Sequence, residues 1–237
     1  VVVGWPWFFV LGLLVLAYYG FYFVSLRGER NPGPASVVLW VSLLFVLLIG
    51  FIYSNNITLS QTPEAWSGKY FADPSGWNLN LEHSPLIPRF LHFLVAAVAL
   101  GGLLAALIGV ARWNRERAYA RFLIRVGGRW FMFATMAQFV FGTWFLFSLP
   151  REHLLTLMGE PVAAVTLGVG ILGGIAAIFI VVNSLHAEDP RKGLIVAAGI
   201  TAIVIATMAV LRDRLRDVYL GAYFDPGRFS VETQWSV

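Results

Sequence analysis

The chain alternates between long apolar runs and short polar punctuation. Six runs of about 20 residues stand out, near 5–26, 36–57, 86–110, 131–149, 161–185 and 193–211. At 1.5 Å per residue each is long enough to cross a hydrocarbon core of roughly 30 Å. None has an Asp, Glu or Lys in its interior. A membrane barrel strand would show alternation over about 10 residues, so unbroken runs predict helices. The expectation is an all-α fold: an integral membrane bundle of about six transmembrane helices, forming a single transmembrane domain over 1–237. A polar loop over 54–85 is its largest extramembrane piece.

Composition agrees with that pattern. Of 237 residues, 58% are hydrophobic and 13% charged, against roughly 25% charged in a soluble domain. Mean hydropathy is +0.73. Nine Trp, eight Tyr and 19 Phe suit aromatic belts at both membrane interfaces. Without cysteine, disulfides, cysteine-ligated iron–sulfur clusters and covalently attached c-type haem are excluded for this chain. The chain begins at Val1, so an upstream segment is expected. The first run has no basic flank or small-residue cleavage site and is not read as a signal peptide.

Charge sets the expected orientation. The turn 27–34 is basic. The stretch 112–129 holds Arg112, Arg115, Arg117, Arg121, Arg125 and Arg129 against Glu116, and the turn after the fifth run holds Arg191 and Lys192. The positive-inside rule puts these three on the cytoplasmic side. Loops 54–85 and 150–160 and the C-terminal tail then lie outside, although Arg212, Arg214 and Arg216 weigh against this. The net charge of +4 reads as topology, and no nucleic-acid partner is expected. The arginines around Arg125-Val-Gly-Gly-Arg129-Trp130 read first as an ordinary basic helix flank, and second as partners of a haem propionate or an anionic lipid headgroup.

The outer loop carries Trp66, Tyr70, Phe71 and Trp77. These suit the headgroup layer, or a docking surface or lid over a quinone site. Asn56-Ile57-Thr58 matches a glycosylation sequon. Thr135, Gln138 and Gly142 share one face of the fourth run, where Gln and Thr ordinarily hydrogen-bond across helices.

Of four histidines, His83, His92, His153 and His186, only His92 sits well inside a run. It lies about six residues, or roughly 9 Å, from the helix start. An ionisable residue at that depth is a functional candidate. Ala96, Ala99 and Ala106 continue its face with little bulk, leaving room for a flat macrocycle or for close helix packing. Two readings stay open: His92 ligates a haem iron, or it hydrogen-bonds a neighbouring carbonyl. No second histidine stands at matching depth. A sixth ligand would have to come from His83, His153 or Met158 folding inward, or from another chain. No P-loop, zinc signature or nucleophile triad is visible.

The stretch Pro88-Arg-Phe-Leu-His-Phe-Leu-Val-Ala-Ala-Val-Ala-Leu-Gly101, followed by Ala118-Tyr-Ala-Arg-Phe and another apolar run, resembles the large subunit of cytochrome bd-type quinol oxidases. In that family a histidine in a similar helix binds a low-spin haem b near the outer face, and the matching residue is His92. The Ser54-Asn-Asn-Ile-Thr-Leu-Ser-Gln-Thr-Pro63 stretch is similar to bd-like membrane cytochromes associated with multihaem c-type partners. The likeness spans roughly 1–185. The first run lacks the family's glutamates, the long quinol-binding loop is missing, and the fifth run has no Met to complete the haem. Oxygen reduction by this chain alone is therefore not expected.

The resemblance implies a cytochrome b-like subunit of a respiratory complex in a bacterial inner membrane. It would exchange electrons between a quinone pool and outer-side partners, c-type cytochromes among them. Haem b would hang from His92, with Arg89 or Arg151 facing its propionates and His153 nearby; quinone would enter a groove near the outer ends of runs three to five. The alternative is a cofactor-free anchor or assembly subunit. A transporter ranks third, because no acid or lysine lies within the runs to couple ions.

Overall fold

The computed structural model describes residues 4–221 and 223. These residues form eight α-helices and no strand: α1 (Trp5–Arg27), α2 (Pro32–Ser60), α3 (Trp66–Ala72), α4 (Leu86–Arg112), α5 (Arg117–Ser148), α6 (Arg151–Gly159), α7 (Pro161–His186) and α8 (Arg191–Leu220). A 3-10 turn, Pro63–Ala65, precedes α3. Six of the helices, all but α3 and α6, are long and apolar enough to cross a membrane. The protein is a multi-pass, all-helical membrane protein.

Prolines mark the helix starts. Pro6, Pro32 and Pro161 occupy the first two positions of α1, α2 and α7, where a missing N–H costs nothing. Pro190 precedes α8, and Pro150 separates α5 from α6. Three helices overrun their apolar runs. α2 continues through the polar sequence to Ser60, α5 starts at Arg117 rather than at the apolar run near residue 131, and α8 extends through Arg212, Arg214 and Arg216. A polar end that projects beyond the hydrocarbon can hydrate its side chains while the backbone ladder continues. Hydropathy therefore marks the lipid-embedded part of a helix, not its ends.

The chain divides into two compact units, Val1–Phe90 and Leu91–Val237, with the boundary inside α4. In the first unit α1 and α2 form an antiparallel hairpin. A Cβ on Gly20 would collide with the Ser42 hydroxyl, so glycine lets the two backbones close. Trp7 meets Tyr53 edge-on at 4.9 Å, and Phe9 lies 5.3 Å from Trp77.

The expected outer loop is ordered around buried amides. Asn55 Nδ2 donates to the Asn78 carbonyl (3.2 Å), and Asn80 N–H donates to Asn55 Oδ1 (2.8 Å). Trp66 Nε1 donates to the Leu59 carbonyl at 2.6 Å. Gly76 has φ +80, which favours glycine, and its carbonyl accepts from Gly4 N–H. Asn56 is buried inside α2, so the sequon does not present an accessible glycan acceptor.

In the second unit α4, α5, α7 and α8 share a core of Ala99, Leu103, Ala106, Phe131, Ala134, Ala177, Val181, Leu194 and Ala197, closed at one end by Trp113. Small residues dominate, as expected where lipid offers no hydrophobic drive and close contact must do the work. A Cβ on Gly102 would sit 2.7 Å from the Gly127 carbonyl oxygen and 2.7 Å from the Phe131 nitrogen. The α4 and α5 backbones therefore touch. At the other end Leu149, Leu157, Ala163, Leu215 and Tyr219 join α5, α6, α7 and α8, and Arg214 pairs with Glu160 at 3.5 Å.

Candidate functional site

His92 lies one and a half turns into α4, half-buried against α5. The contact is made at Gly142, where an added Cβ would stand 3.0 Å from His92 Cε1 and 3.2 Å from Nδ1. The backbone of Gln138, one turn earlier on α5, is the ring's polar neighbour. Nδ1 is nevertheless buried without a hydrogen bond of ordinary geometry, and so is Gln138 Oε1. Two helices thus bring an imidazole and an amide, both incompletely satisfied, into an apolar span. Such groups are costly in a membrane and are retained where they take a partner.

The other candidates are distributed differently. Arg89 precedes His92 by one turn on α4 and is 3% exposed. Arg151 and His153 both fall on α6, which the sequence reads as a loop; Arg151 is exposed. His153 packs edge-on against Tyr219 of α8 at 4.2 Å, so it belongs to the α6–α8 contact. At the opposite end of the unit His186 Nδ1 lies 2.8 Å from its own helix's Val182 carbonyl. Met158 packs in the α5–α8 cluster, and Met208 meets the position of Gly170 on α7.

The group to test against this arrangement is haem. An imidazole whose Nδ1 edge rests on a helix backbone keeps Nε2 as a coordinating atom. The residues fit one axial position. Within the second unit the other His and Met side chains described above are engaged elsewhere, so the second axial ligand is not among them.

The relationship between His92 and Gly142 is not legible in sequence. Gly142 shares a face with Gln138 and Thr135, but nothing in spacing pairs that face with α4. The Asn55–Asn80 lock was likewise missed, although consecutive Asn residues after a long apolar run signal a buried polar helix end. No protein-family model, curated protein or solved structure matches the chain.

Proposed function

We propose that this chain is a membrane cytochrome b-like subunit that passes electrons between a membrane quinone pool and redox partners at the outer face of a bacterial inner membrane. The observation that carries the reading is the half-buried His92 ring held against Gly142, with the Gln138 backbone as its polar neighbour. Bound haem b would supply one-electron chemistry in a low-dielectric setting. The residues of this chain hold the imidazole at a fixed depth and fix which edge faces α5. Arg151, exposed on α6 of the same unit, would supply a guanidinium suited to a carboxylate. Partner subunits, c-type cytochromes among them, would take up the electron and provide the second axial ligand. Oxygen reduction by the chain alone forms no part of the reading, since α1 has no carboxylate.

A second reading, a cofactor-free anchor subunit, is favoured by one observation. The spans bury little of themselves: 11% of the apolar window in α1, α2, α5 and α8. Such faces suit partner helices as well as lipid. Reduced-minus-oxidised absorption spectra and a haem assay on the purified protein separate the two. A b-type spectrum lost in His92→Ala supports the first reading; a colourless wild type, purified with its partner chains, supports the second.

A further inference from the structure

The first four turns of α5 carry Arg117, Arg121, Arg125 and Arg129 at four-residue intervals, all exposed. That spacing draws a stripe that drifts about 40° per step around the helix. The stripe has two halves with different surroundings. Arg117 and Arg121 lie over the buried Trp113 ring, 4.6 and 5.7 Å from its centroid. Glu116, the acid nearest in sequence, is bound to Arg112 at 2.9 Å. Arg125 and Arg129 have no ion pair among the described residues. Around them Phe122, Trp130 and Phe133 are 59%, 59% and 61% exposed.

Helix length sets the depth of the stripe. α5 has 32 residues and is about 48 Å long at 1.5 Å per residue. Its charge-free part, 130–148, covers about 28 Å, close to the roughly 30 Å hydrocarbon core. With that part embedded, Arg129 stands at the hydrocarbon edge beside an exposed tryptophan. Arg125 stands one turn farther out, at the level of lipid phosphates. Trp130 at that boundary is where an interfacial indole belongs.

We propose that Arg125 and Arg129 form a binding site for the phosphodiester headgroup of an anionic phospholipid, with its acyl chains running inward past the exposed Phe133 side chain. Guanidinium groups bind phosphate oxygens bidentately, and the two cations stand between the hydrocarbon edge and phosphate depth with no ion-paired acid among the described residues. Arg117 and Arg121, held over Trp113, add positive potential above the site.

The test uses the full chain in nanodiscs of equal parts phosphatidylglycerol and phosphatidylcholine, followed by native mass spectrometry of retained lipid. The wild type should retain phosphatidylglycerol in preference. Each arginine near an anionic surface contributes a factor of about five, so Arg125→Gln/Arg129→Gln should lower the preference roughly 25-fold. Arg216→Gln, near the far end of α8, should leave it unchanged. Equal retention of the two lipids by the wild type overturns the proposal, as does a preference that survives the double substitution. So does co-purification of a partner chain, with no bound anionic lipid, that the double variant loses.

Discussion

Gly142 and His92 are bound by size: a methyl group at 142 would come 3.0 Å from Cε1 of the imidazole. The ring can rest on α5 only because that position lacks a side chain. Gly142→Ala should therefore displace the ring by a few tenths of an ångström, at a cost of no more than about 1 kcal/mol. If His92 holds a haem, the b-type band should shift or weaken while the helices stay inserted. Gly101→Ala is the control, since nothing lies within 4 Å of its added Cβ. An unchanged spectrum in Gly142→Ala, with haem present in the wild type, would show that the contact does not position the ligand.

His92→Ala should abolish or shift the b-type spectrum, and His186→Ala should not. His186 sits at the opposite end of the unit and is occupied by its own helix's carbonyl. Equal effects of both substitutions would mean that the spectrum reports general unfolding.

The α4–α5 contact should be the least tolerant packing site. Gly102→Ala places a methyl against backbone atoms at 2.7 Å, and backbone cannot rotate away. A loss of about 2–3 kcal/mol is expected in a membrane refolding equilibrium, against near neutrality for Gly101→Ala. Equal tolerance at the neighbouring positions would contradict the close approach.

Sidedness can be read chemically because the chain has no native cysteine. Arg191 Nη1 donates to Asn114 Oδ1 at 3.3 Å, joining the α4–α5 and α7–α8 turns at one end. Arg117→Cys and Lys192→Cys should therefore label from the same side, the cytoplasmic one by charge bias. Labelling from opposite sides would contradict the arrangement; labelling of both from outside would reverse the orientation.

Asp189 precedes α8 and accepts three hydrogen bonds from the Arg191 guanidinium and one from its backbone N–H. Those bonds hold its carboxyl down at about 2. An unfolded Asp titrates near 3.9. A depressed folded value means that the contribution is complete above the unfolded value and is lost as pH falls toward about 2. The group is exposed, so the effect should be small. Infrared titration should find a carboxylate that ionises well below pH 3.9 in the wild type and is missing from Asp189→Asn.

The spans were legible because lipid imposes a simple rule on composition, and all six apolar runs coincide with helices. The helix ends were not, since Arg117, Arg212 and Asn55 are polar yet helical. Hydropathy reports what surrounds a residue, and backbone hydrogen bonding continues wherever neither proline nor a turn stops it. His92 was legible as a histidine in an apolar run. Its seat was not, because Gly142 carries no side chain to announce what it touches. The placement of His153 on Tyr219 follows from α6 being a helix, which 150–160 is too short and mixed to reveal.

The bond from Gly4 N–H to the Gly76 carbonyl, with the lock of Asn55 onto Asn78 and Asn80, implies an order of events during biosynthesis. The α1–α2 hairpin is synthesised well before the segment that closes over its polar end. Until residues 76–80 emerge, Asn55 lacks its partners, so that end of α2 must remain in water. A released chain truncated after Ser60 should accordingly hold Asn55 open to polar reagents, and one truncated after Asn80 should shield it. The cap of this hairpin can close only once residues 76–80 are present.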